Sequence, residues 1–170
     1  ILNLARSYAY QSEGYYASLL AEARGHRVSP TVQTMVELAK KSLYNHALPD
    51  LGETLQEALA KGAPKIGSLF VAFSRCEIPA YETLAREAMD WFRTPALEIE
   101  FDEEAPHGIA RIRAMPPHKL KDQRRQFFLE AMEAYTKGKV RDAKARAPAK
   151  WALAVLVDPN EKTAPSKPAS

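Results

Sequence analysis

A single cysteine, Cys76, stands in the 170 residues, so no disulfide can close within the chain, as suits a reducing compartment. Its seven glycines are scattered, with no GxGxxG and no Walker pattern, which leaves no glycine-rich cradle for a nucleotide. The four histidines (His26, His46, His107 and His118) lie far apart and do not combine with the one thiol at metal-ligand spacing. Neither GxSxG nor HExxH occurs, so no nucleophile elbow or zinc-protease helix can be read. Apolar runs are short as well. The longest, at 69–73 and 152–157, are strand-sized and far below the roughly 20 residues that cross a bilayer. No signal peptide is visible. These absences exclude a membrane partner and lead to the expectation of a cytoplasmic protein with no catalytic or metal residues of its own.

What is present is an ordinary globular composition, 46% hydrophobic and 26% charged, long enough to bury one core. The formal charge of +3 is unevenly placed. Residues 119–150 hold ten Lys and Arg against four Asp and Glu, whereas the rest of the chain has fourteen against seventeen. Such an excess suits phosphate, RNA or an acidic peptide. It equally suits a solvated helix end running into a linker, and that reading is preferred.

Along the chain, residues 1–4 read as a strand end and 6–13 as loop. Tyr15, Tyr16, Leu19, Leu20 and Ala23 then fall at helical spacing, with Ser12 as N-cap, Glu13 in the first turn and Gly25 as the left-handed stop. Residues 26–28 lead into a short strand broken at Ser29-Pro30, which predicts a right-handed parallel βαβ start. A second helix runs from Val32 through Leu43 to His46. A third carries Leu51, Leu55, Ala58 and Leu59, with Asp50 as its N-cap and Gly62 as its stop. Residues 66–74, apolar on both faces, predict a central strand covered on both sides. Pro79 opens a fourth helix bearing Tyr81, Leu84, Ala85, Ala88 and Phe92.

The clearest β pattern follows. Leu97, Ile99 and Phe101 alternate with Glu98 and Glu100, and Ala110, Ile112 and Ala114 alternate with Arg111 and Arg113, across a turn at 102–108. This is an antiparallel hairpin whose charges face one another on a wet side and fix register. Leu120, Arg124, Phe127, Phe128, Ala131 and Tyr135 make a last helix with its basic face outward. The fold class is therefore α+β with an α/β-like start: a mixed sheet of about 4–5 strands, including the C-terminal hairpin, packed with about five helices. Residues 138–150 read as a basic linker. A new apolar strand at 151–157 and a Pro/Ser tail to 170 then suggest a region whose partners lie beyond, and the chain reads as a piece cut at both ends.

One loop gathers polar groups where α/β sheets bind ligands, beyond a strand end and at a helix N-terminus. Arg6, Ser7, Tyr8, Tyr10, Gln11 and Ser12 supply a guanidinium, two phenols, an amide and two hydroxyls. Arg75, at the end of the central strand, can join them. The set suits a carboxylate or phosphate held by Arg6 or Arg75 and oriented by the tyrosines. The alternative is that Arg6 pairs with an acid such as Glu22 and the tyrosines merely pack the loop. Cys76 is read as a small, partly buried residue.

Residues 3–30, Lys41-Ser42-Leu43-Tyr44, Phe73-Ser74-Arg75-Cys76-Glu77-Ile78-Pro79, and the strand at 95–101 with its Arg-bearing partner together resemble the RimK-like ATP-grasp N-terminal domain, over residues 1–137. The stretch at 152–159 resembles the start of the following pre-ATP-grasp region. Ala5 and Ala9 depart from the Cys and Arg that relatives often carry there. The resemblance implies a non-catalytic domain of an ATP- and Mg²⁺-dependent carboxylate–amine ligase, serving substrate recognition or placement of the ligase module. ATP and Mg²⁺ would belong to that module, with no cofactor in this piece. The implied partners are the protein's own C-terminal ATP-grasp module and an amino-acid or peptide substrate. A binding module whose basic C-terminal segment engages RNA, ribosomal protein or an acidic partner is the rival reading, with nucleic acid not expected.

Overall fold

The computed structural model of the protein describes residues 1–138. The linker expected beyond Gly138, and the strand and tail expected at 151–170, lie outside the described residues. Five α-helices and one four-stranded sheet make an α+β fold: α1 Glu13–Ala23, α2 Val32–Ala39, α3 Leu48–Ala60, β1 Ser68–Ala72, β2 Arg75–Cys76, α4 Glu82–Phe92, β3 Ala96–Phe101, β4 Ile109–Ala114 and α5 Asp122–Thr136. The sheet order is β2-β1-β3-β4, with every pairing antiparallel. The expected parallel βαβ start is reduced to one parallel bridge, Leu2 to Ser29, outside this sheet.

β1 is interior and covered on both faces, because its side chains are apolar on both. Leu69 and Val71 join Leu97, Ile99 and Ile112 in the main core, which α3 and α4 cover with Leu51, Leu55, Leu84 and Phe92. Phe70 and Ala72 face the other way, with Phe73, Ala96 and the α5 residues Phe128 and Ala131. The two-residue turn from β1 to β2 holds Phe73 and Ser74 at φ 47° and 64°, the left-handed pair that a tight hairpin needs. Phe73 tolerates it because its ring is pinned between Phe128 and Tyr135, with centroids 5.4 and 5.0 Å away.

The hairpin register is the expected one, Glu98 opposite Arg113 and Glu100 opposite Arg111. The charged side is not wet, however. α5 lies over it, because Phe127, Phe128 and Ala131 need an apolar partner and the opposite face already belongs to α3 and α4. Glu98 is consequently only 6% exposed. It accepts hydrogen bonds from Arg113 at 2.7 Å and from Arg124 of α5 at 2.8 Å. Arg124 thus points inward, over the Phe70 ring and toward Glu77, rather than joining an outward basic face.

Two helix boundaries also differ from expectation. α2 stops at Ala39, where Lys40 turns extended (φ −143°, ψ 123°), and two 3₁₀ turns follow. The reason lies in Lys41-Ser42-Leu43-Tyr44, which seals the outer edge of β4. Lys41 Nζ donates to the Ile109 and Ala110 carbonyls at 2.8 and 2.9 Å, and the buried Tyr44 hydroxyl accepts from Ile112 N at 3.0 Å. A continued helix would leave that edge open. α3 begins at Leu48 with Pro49 in its first turn, so Asp50 is inside the helix and not its cap.

Candidate functional site

The loop between the Leu2 bridge and α1 is built around Asn3. Its side-chain Nδ2 donates to the Gly14 carbonyl at 2.7 Å and to Ser18 Oγ at 2.9 Å, while Oδ1 accepts from Ala5 N at 3.1 Å. Ser18 Oγ passes its own hydrogen to the Pro30 carbonyl at 2.6 Å. A buried amide needs such partners, and this one draws the loop hard onto α1. The approach requires Gly14: a Cβ there would overlap the Ser7 carbonyl oxygen and come within 2.8 Å of Ala5 Cβ.

This packing decides what each expected site residue does. Ser12 caps α1, accepting from Tyr15 N at 3.3 Å, and its hydroxyl donates to the Ser7 carbonyl at 2.9 Å. Ser7 Oγ accepts from Ala9 N at 3.2 Å. Tyr8 is buried, its hydroxyl donating to the Asn3 carbonyl at 2.7 Å, and burial pushes the phenol up to about 12. These three shape the loop. Arg6, Tyr10 and Gln11 are exposed, and Gln11 takes φ 61° at the loop's tightest point. Arg6 has no hydrogen bond or ion pair among the described residues, and Glu22 instead accepts from Val32 N at 3.1 Å at the start of α2. Arg75 sits on β2, with its guanidinium 5.8 Å from the Phe127 ring centroid of α5. No hydrogen bond or ion pair joins it to the loop among the described residues.

Against the loop lies a cleft of about 210 Å³, walled by Tyr8, Tyr10 and Tyr15 on one side and by Met35, Val36, Ala39 and Leu43 on the other, with Lys40 also among its lining residues. Tyr10 and Tyr15 meet edge to face at 5.1 Å, and Tyr15 meets Tyr16 in the same way at 5.6 Å. The Lys40 ammonium has no hydrogen bond or ion pair among the described residues. The sequence reading missed Lys40 because it carried the second helix through to His46. The available signal was the adjacent lysine pair ahead of the Leu43-Tyr44 step.

A larger cleft of about 370 Å³ lies between α3 and the β3–β4 turn, lined by Leu55, Ile66, Tyr81 and Phe101. The cation on its rim, Lys65, is paired with Glu103 at 2.6 Å. Cys76 offers no nucleophile: burial pushes the thiol up, and Sγ donates to the Ile78 carbonyl at 3.1 Å. Among the described residues no group of three or more His, Cys, Asp or Glu could hold a metal ion, and no helix is long and apolar enough to cross a membrane.

The family model for the RimK-like ATPgrasp N-terminal domain matches residues 1–131, from the Asn3 loop through α5 to Ala131. The chain belongs to this family. The match ends within α5 and so takes in the whole sheet, the loop and the cleft. No curated protein and no solved structure matches the chain. The domain thus links the protein to RimK-like ATP-grasp ligases.

Proposed function

We propose that this chain is the non-catalytic N-terminal domain of a RimK-like carboxylate–amine ligase, and that it presents the acceptor substrate to the ligase module. The observation that carries the reading is the family match over residues 1–131, combined with a loop-and-cleft site whose two cations, Arg6 and Lys40, have no partner among the described residues. A carboxylate or other anion approaching the cleft would therefore meet positive charge that no internal acid has neutralised. In this reading nucleotide and Mg²⁺ chemistry belong to the C-terminal ATP-grasp module. Placement of that module is the other role the family suggests, and the same domain can serve both.

The test is calorimetric titration of the whole protein, ligase module included, with candidate amino acids and peptides, comparing wild type with Arg6→Ala. Weaker acceptor binding and a raised KM with intact folding are the expected result. Affinity and turnover identical to wild type would reject the substrate-recognition role.

A further inference from the structure

The cleft has features that narrow what it can hold. Its volume of about 210 Å³ equals that of roughly seven liquid waters and lies under the ~300 Å³ at which sites for larger ligands begin. It fits one side chain and not a nucleotide. Its walls are apolar: Met35, Val36, Ala39 and Leu43 face the Tyr10 and Tyr15 rings. Several of these walls remain open to solvent, Tyr10 at 70%, Leu43 at 44% and Val36 at 41% exposure. A ligand would bury them. The only charged lining residue is Lys40, and no acid stands among the lining residues to oppose it. Glu37, the nearest acid in sequence, accepts instead from Gln33 Nε2 at 2.7 Å along α2.

An apolar slot with one unpaired lysine as its sole charged lining residue complements a molecule that carries an apolar side chain beside a negative group. We propose that the cleft takes a small monocarboxylate with an apolar side chain between leucine and phenylalanine in size. The side chain lies between α2 and the tyrosine pair, and the carboxylate is held by Lys40. An acidic side chain is disfavoured, since its second carboxylate would lose water among largely apolar walls that hold no second cation. This names the substrate class of the site proposed above, and it rests on that reading for its place in the ligase.

The probes are N-acetylphenylalanine, N-acetylleucine, N-acetylphenylalaninamide and N-acetylglutamate, titrated by NMR and calorimetry into the 170-residue chain. The first two should bind saturably, with shifts confined to the 6–15 loop and to residues 32–43. Removing the charge from either partner, by using the amide or by Lys40→Gln, should weaken binding roughly fivefold to tenfold, while Lys40→Arg retains it. Ala39→Trp, which fills the slot from an exposed position, should abolish it. Three results overturn the proposal: no saturable binding of the two apolar carboxylates, equal binding of N-acetylglutamate, or indifference to Lys40→Gln. If binding behaves as expected but Lys40→Gln leaves the acceptor KM of the whole ligase unchanged, the cleft assignment stands and the acceptor-presentation role falls.

Discussion

Residues 1–43 and residues 44–138 hold themselves together by different means. The later region buries large apolar side chains between a sheet and its helices, with Leu51, Leu84, Leu97, Ile99 and Ile112 fully enclosed. The earlier region buries few large apolar side chains, Tyr8, Val28, Met35 and Leu38, and packs α1 with small and polar ones. α1 turns Gly14, Ser18 and Ala21 inward and leaves Tyr16, Leu19 and Leu20 outside, and Asn3 satisfies its buried amide where a leucine would otherwise fill space. Of the ten large apolar residues exposed among those described, eight lie within the first 43 positions. Exposed apolar side chains gathered in one region are the kind of surface at which proteins meet ligands and partners, whereas a closed core serves stability. The cleft and both unpaired cations belong to the first kind.

The sharpest break in that contrast would come at Glu98, where the second region depends on charge after all. Burial pushes this carboxyl up, but hydrogen bonds from Arg113 and Arg124, with their charges, outweigh it and hold the group below the usual carboxylate range. Glu98→Ala should cost about 3 kcal/mol in urea unfolding, because Arg113 and Arg124 lose their shared hydrogen-bonded partner, though each keeps a second carboxylate, Glu100 or Glu77, and part of its contact with water. The pH dependence follows from the sign of the shift. A carboxylate depressed in the folded state contributes stability that is fully present above its unfolded value of about 4.3 and is lost as pH falls below it through the folded value. Wild type should therefore lose stability in that acid window, and Glu98→Ala should show a shallower loss. Equal acid slopes in the two proteins would show that Glu98 does not secure α5.

The second break is smaller and lies in the first region. Gly14→Ala places a methyl against the Ser7 carbonyl, held by the Ser12 hydroxyl, and against Ala5, held by Asn3. It should cost about 2–3 kcal/mol, since backbone must shift to admit it. Gly67→Ala, where a Cβ meets nothing within 4 Å, should stay within about 0.5 kcal/mol of wild type. Amide exchange should show the Gly14→Ala loss concentrated in residues 1–43, with the sheet retaining its protection. A uniform loss across both regions would mean that the two are one cooperative unit.

How legible each region was from residues alone follows the same division. The hairpin at 96–114 could be read with its register, because strict alternation of apolar and charged residues leaves one face for the core. β1 could be read as doubly covered because Leu69, Phe70, Val71 and Ala72 are apolar on both sides. α1 was legible as a helix, down to its Ser12 cap and Gly25 stop, but not in orientation. Periodicity points to Tyr15, Tyr16, Leu19, Leu20 and Ala23 as the packed face, yet the helix turns Gly14, Ser18 and Ala21 inward to meet Asn3. A hydrophobicity pattern carries no term for a buried amide that demands small neighbours. The α2 end was hidden for a related reason: Val32, Met35, Val36, Ala39 and Leu43 continue the helical spacing, while the edge of β4 requires Lys41 and Tyr44 elsewhere. Of the site, the Arg6 loop was visible as a cluster of polar residues. Lys40 became visible only once the helix was known to end before it.

Two adjacent lysines give the finest test of the contrast, because one serves each region. Lys41 is tied to the Ile109 and Ala110 carbonyls on the outer edge of β4, whereas Lys40 lines the cleft and its side chain has no hydrogen bond or ion pair among the described residues. Lys41→Met removes two charge-assisted hydrogen bonds from a strand edge and should cost about 1–2 kcal/mol. Lys40→Met removes no bond and should change stability by less than about 0.5 kcal/mol. Urea midpoints of the two variants would measure both effects at once. If Lys40→Met destabilises as much as Lys41→Met, then Lys40 holds the α2 end in place, and its charge beside the cleft would be a consequence of folding instead of a feature kept for a ligand.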